Sequence, residues 1–131
     1  MSNALKNLEE NFMNEKQLSV IKSLSRGEEG EFFKKRMKEI AETIENMPKT
    51  YEQDGMGDDA VAYIHYFYGE YDWYITEKDM EDEQYQAFGY VKSRSSELGY
   101  ICLVEILGSN VPVEIDLYFE PKTLGEIKAQ G

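Results

Sequence analysis

Cysteine is nearly absent. Cys102 stands alone in 131 residues, which excludes an internal disulfide. Histidine is as scarce: His65 is the only imidazole, and no histidine-plus-carboxylate ligand spacing accompanies it. No apolar run approaches the length that spans a bilayer. Near the start, Leu5, Leu8 and Phe12 lie among charged residues rather than in the apolar stretch of a secretory signal. A cytoplasmic location is therefore expected. Basic side chains are the most telling scarcity. Residues 51–131 carry five of them against seventeen acidic ones, while residues 1–50 carry nine of each, so the whole net charge of -12 belongs to the C-terminal part. Such a field repels nucleic acid and anionic membranes, and favours a basic protein partner or simply solubility.

What remains is a chain of one-domain size with 41% hydrophobic and 13% aromatic residues, enough for a core. The spacing of Leu5, Leu8 and Phe12, continued by Leu18, Ile21 and Leu24, predicts one bent helix or two short ones, with Ser25 a candidate cap for the next. Residues 31–46 form the clearest helix. Phe33, Met37, Ile40, Ile44 and Met47 fall on one apolar stripe, acidic residues sit near its start, and Asn46 and Pro48 mark its end. Residues 49–59 read as a turn-rich linker.

From residue 60 the pattern changes to short aromatic and β-branched segments bounded by turn residues: 60–68, 73–78, 87–91, 99–103 and 111–118. In the first, Val61, Tyr63, His65 and Phe67 share one face and Ala62, Ile64, Tyr66 and Tyr68 the other; both are largely apolar, so it is expected inside the sheet with a helix on one side. Gly89 within the third suggests a bulge or a close backbone approach. In the last, Val111, Val113, Ile115, Leu117 and Phe119 are expected to face the core. Residues 79–83 could turn once as helix, as could 104–107. Pro121 would open a terminal helical turn within 121–128. The expected fold is α+β in a single domain spanning 1–131. Helices from residues 1–48 pack on a mainly antiparallel sheet of about five strands from residues 60–119, and a short C-terminal helical turn follows.

The series Asp72-Trp73-Tyr74-Ile75-Thr76-Glu77, Phe88-Gly89, Glu97-Leu98-Gly99-Tyr100-Ile101, Glu114-Ile115-Asp116-Leu117 and Pro121-Lys122-Thr123-Leu124 resembles a small bacterial family. It is catalogued as domain of unknown function 2958, and the likeness covers roughly residues 61–127. The resemblance implies a protein of bacteria and mobile elements such as plasmids and phages, and it brings no established activity. The Trp-Tyr-x-x-Glu strand typical of that family is present here; the loop at 92–96 is short, so a site held in larger loops elsewhere would be missing from this chain.

Two sets of residues are candidates for function. Asp58, Asp59, Glu70, Asp72, Glu77, Asp79, Glu81, Asp82 and Glu83 belong to a densely acidic stretch, residues 52–83, with Lys78 its only base; they form a candidate protein-interaction face. Glu77 with Asp79, and Glu114 with Asp116, have the two-residue spacing that places carboxylates on one strand face. Were the strands at 73–78 and 111–118 neighbours, these four with His65 could hold a divalent metal or divide acid and base roles. Against that, a solvated acidic face and an ordinary boundary histidine explain the same residues. Cys102 lacks any catalytic partner pattern and reads as packing. The expected function is that of an acidic, non-enzymatic accessory protein without a cofactor, binding a protein that is basic or DNA-handling. The alternatives are a DNA mimic that occupies a partner's DNA-binding cleft and an enzyme built on the carboxylates.

Overall fold

The computed structural model describes residues 3–81, 84–109 and 111–130. Three helices come first: α1 (Asn3–Asn11), α2 (Glu15–Ser25) and α3 (Gly30–Asn46). The break between α1 and α2 is built by Asn14. Its side chain accepts from the Gln17 amide while the Gln17 side chain accepts from the Asn14 amide, a reciprocal capping box. Ser25 is not the cap of α3; Glu29 stands there without a side-chain cap bond. Gly30 is needed where it is, because a Cβ would fall 2.2 Å from the Ser25 carbonyl oxygen.

The α3 stripe of Phe33, Met37, Ile40, Ile44 and Met47 is buried throughout, together with Leu8, Phe12 and Ile21 from α1, α2 and the link between them. Fully burying one such side chain contributes ~1.5–3 kcal/mol. Leu24 is exposed. Beyond α3, residues 49–59 are docked rather than a free linker. The buried Gln53 side chain donates to the carbonyls of Val61 and Thr76 and accepts from the Val61 amide. Buried Thr50 donates to the carbonyls of Lys78 and Gln86.

The sheet holds five strands in the order β5-β4-β3-β2-β6, every pair antiparallel: β2 (Ile64–Tyr68), β3 (Tyr71–Glu77), β4 (Ala87–Lys92), β5 (Ser96–Ile101) and β6 (Glu114–Ile115). The first predicted strand is divided at Tyr63. Its start, β1 (Val61–Ala62), pairs instead with β7 (Lys122–Thr123) in a separate two-stranded ribbon. Helix α4 (Leu103–Leu107) follows β5, and α5 (Leu124–Gln130) ends the described chain. Pro121 does not open α5. The strand β7 intervenes, and Thr123 caps the helix through a reciprocal pair of bonds with Glu126.

The helices cover one sheet face, where Ile64, Tyr66, Ile75, Ala87 and Ile101 meet them; the Tyr66 hydroxyl donates to the Phe12 carbonyl at 2.6 Å. The other face carries a smaller cluster of Ala60, Ala62, Tyr90, Leu124 and Ile127 beneath the ribbon and α5. Phe119 belongs to this second cluster, not to the main core, because the chain turns between Asp116 and Phe119; Val111 is exposed, and only Val113, Ile115 and Leu117 of that series are in the main core.

Residues 79–81 do not form the helical turn anticipated for 79–83. The Asp79 carboxylate accepts from the amides of Glu81 and Gln86, which closes a loop instead. The remainder of that predicted turn, residues 82 and 83, lies outside the described residues. Among the described residues no helix is long and apolar enough to cross a membrane.

Candidate functional site

The hairpin β2–β3 turns at Gly69 and Glu70, with Gly69 at φ 56°, a conformation glycine adopts without strain. That two-residue turn sets the register: Tyr68 pairs with Tyr71, His65 with Tyr74 and Phe67 with Asp72. Asp72 is thus the diagonal neighbour of His65 on the sheet face away from the helices. On the other side of β2, the chain leaving β6 bonds the Asp116 amide to the His65 carbonyl, bringing the Asp116 side chain to the same ring.

The result is a three-membered clamp. His65 Nε2 lies 2.7 Å from Asp72 Oδ1 and Nδ1 lies 2.9 Å from Asp116 Oδ2. The ring lies flat on Tyr74, at 4.4 Å and 4°, with Phe67 and Phe119 at its edges. Each ring nitrogen thus lies within hydrogen-bond distance of its own carboxylate. Asp116 is used twice, since its Oδ1 accepts from the Tyr118 amide at 2.9 Å. Burial, then the charges of Asp72 and Asp116 and the nearby Tyr90, pushes the Tyr74 phenol up to about 12. The clamp ties β2, β3 and the turn after β6 together. Both ring nitrogens are engaged within it.

The remaining carboxylates do not join it. Because β2 lies between β3 and β6, the strands carrying Glu77 and Asp116 are not neighbours, and the anticipated convergence does not form. Glu77 is moved further by a bulge: register shifts between Ile75 and Glu77, so Glu77 pairs with Phe88, as Tyr100 does from the other side. There it is only 3% exposed and accepts from the Thr76 hydroxyl. Asp79 is buried in the loop it organises. Glu114 is exposed beside Phe67. Among the described residues no group of three or more His, Cys, Asp or Glu side chains is placed to hold a metal ion.

The acidic face is likewise redistributed. Asp59, Glu70 and Glu81 are exposed; Asp58 is exposed but paired with Lys128 at 2.6 Å. Glu77 and Asp79 are buried, and Asp72, partly exposed, is engaged by His65, so none of the three is free on an open surface. Asp82 and Glu83 lie outside the described residues. Loop 49–59 adds exposed Glu52 and Asp54. Nearby, the hydroxyls of Tyr51 and Tyr100 bond to one another, which raises the Tyr100 phenol above its ordinary range.

One grouping escaped the sequence reading. Phe32, on α3, is exposed and stacks against exposed Tyr118 at 5.9 Å and 27°; Glu28, Glu29 and Glu31 complete a shallow cleft of about 540 Å³. Phe32 lies off the apolar stripe of α3, which is the one signal in the sequence that it points outward. No family model matches this chain, and no curated protein or solved structure matches it.

Proposed function

We propose that this protein is a non-enzymatic accessory factor that works by binding another protein, and that its partner is basic. The observation that carries the reading is the division of labour among its polar groups. His65, the one imidazole, has both nitrogens engaged by carboxylates in a structural clamp, whereas acidic and aromatic side chains such as Asp59, Glu70, Tyr118 and Phe32 are left facing solvent. An excess of exposed negative charge steers basic partners and selects against nucleic acid. The resemblance of residues 61–127 to a family of mobile elements fits an accessory role in such an element, with a DNA-handling protein as the partner class.

A second reading, mimicry of DNA, draws on loop 49–59, where Glu52, Asp54 and Asp59 are exposed together. Affinity capture from lysate of the native host, washed at rising salt, tests both. One stoichiometric basic protein held at low salt and released at high salt is expected. Release of that protein by added duplex DNA would select the mimic. No retained partner at low salt would overturn protein binding.

A further inference from the structure

The cleft formed by Phe32 and Tyr118 has a rigid wall. The Tyr118 amide donates to Asp116 Oδ1 at 2.9 Å. On either side of Tyr118, the Arg36 guanidinium donates to the Leu117 carbonyl at 2.6 Å and to the Phe119 carbonyl at 3.1 Å. The backbone that carries the Tyr118 ring is therefore fixed from two directions, by α3 and by the His65 clamp. Phe32 is held from beneath by an edge-on contact with buried Phe33 at 5.3 Å. Yet Phe32 is 42% and Tyr118 66% exposed, so two stacked rings are presented to water.

The surroundings say what chemistry suits them. Among the described residues the other side chains lining the cleft are Glu28, Glu29 and Glu31, all carboxylates. Arg36 is directed inward to the carbonyls of Leu117 and Phe119, and Lys34 meets Glu31 only at 3.7 Å on open surface, a pairing that contributes little. Aromatic faces carry negative quadrupole density, and carboxylates beside them add to it. A guanidinium answers both at once. It lies flat on a ring, forks to a carboxylate and sheds water more readily than an ammonium.

The geometry points to a docking surface for an arginine side chain within a basic segment of a partner protein. This rests on the protein-binding reading and names the chemistry of its contact. The occupant is a protein segment because the cleft is shallow and its exposed rim at the N-terminal end of α3 is open to an extended chain carrying its neighbouring charges past Glu28 and Glu29.

The test uses the full chain, labelled for NMR, titrated with a peptide of alternating arginine and glycine. The lysine-glycine peptide of equal charge is the comparison. Amide shifts are expected at residues 28–36 and 117–119, with the arginine peptide bound more tightly. Tyr118→Ala, which keeps the backbone bond to Asp116, should weaken the arginine peptide about 2- to 5-fold and leave its salt dependence intact. The triple change E28Q, E29Q and E31Q should weaken it and flatten the salt dependence. Shifts spread over loop 52–59 and Glu70, with Tyr118→Ala binding like the parent, would mean attraction by net charge alone and overturn the surface. Equal affinity for both peptides overturns the choice of arginine. A host partner captured equally by the parent and Tyr118→Ala sinks this surface while leaving protein binding in place. No captured partner, with peptide shifts still confined to the cleft, removes the broader reading and leaves the cleft chemistry standing.

Discussion

Replacing His65 by phenylalanine isolates what the clamp contributes. The ring stack on Tyr74, 4.4 Å away and nearly parallel, is kept in shape. Both polar bonds, 2.7 Å to Asp72 and 2.9 Å to Asp116, are lost. A hydrogen bond to a charged group is worth about 1.5–3 kcal/mol, and the stranded carboxylates add a desolvation cost. These carboxylates are 30% and 26% exposed, so water recovers part of the loss. A net destabilisation of about 2–3 kcal/mol is the outcome expected from those terms. For a chain of this size that corresponds to a fall of about 6–15 °C in Tm.

A cycle with Asp116→Asn makes the reasoning refutable. In the parent, asparagine can keep the Tyr118 amide bond through its oxygen but removes the carboxylate from His65 Nδ1, leaving at best a weaker neutral contact, so the change should destabilise. In His65→Phe the same substitution removes a charge facing an apolar ring, and it should be neutral or stabilising. Urea denaturation of the four proteins measures the coupling, expected at about 1 kcal/mol or more. Equal destabilisation by Asp116→Asn in both backgrounds would refute the clamp.

Two further outcomes follow from packing and titration. A Cβ on Gly89 would lie 2.0 Å from the Tyr74 carbonyl oxygen, whereas none of the surrounding atoms comes within 4 Å of one on Gly99. Gly89→Ala should therefore cost about 3 kcal/mol or more in urea melts and Gly99→Ala little, and similar effects would contradict the register. For the Tyr74 phenol, held up at about 12, the folded state keeps its proton longer than the unfolded chain does. Its contribution is complete below about pH 10, the unfolded value, and is lost as pH rises toward 12. Burial raises the Tyr66 phenol as well, so Tyr74→Phe should flatten the alkaline loss of stability without abolishing it. An unchanged slope between the two proteins would count against the burial of that ring, and with it the placement of Asp72 and Asp116 beside it.

Local periodicity carried much of the architecture. The helical stripe from Phe33 to Met47 and the alternation of Ile64 and Tyr66 against His65 and Phe67 each follow from where a side chain must point in a regular element. The α+β layering follows as well, since both patterns need an apolar partner face. Gly89 was legible for the same reason: a glycine inside a strand leaves room for a backbone, and the Tyr74 carbonyl occupies that room. Periodicity failed where the backbone stopped being regular. The bulge after Ile75 reversed the side of Glu77, and the turn after Asp116 moved Phe119 to the second cluster.

The clamp shows why a site is harder to read than a fold. His65 and Asp72 are joined by a short-range rule, because a two-residue turn led by Gly69 dictates which residues lie diagonally across the hairpin. Starting the second strand at Trp73 hid that pairing by placing Asp72 in the turn. Asp116 is different in kind. It reaches His65 only because β6 adds to the free edge of β2, and sequence spacing alone does not specify strand order. The same nonlocal step aligns Tyr118 with Phe32 and Glu28, from opposite ends of the chain. Two carboxylates of unrelated sequence context therefore become one device for holding a turn, and that turn sets the only stacked aromatic contact between α3 and the segment after β6 among the described residues. An acidic residue's role is decided by what its strand is placed beside, so a stretch uniform in charge divides into a structural clamp, a loop anchor and an exposed rim.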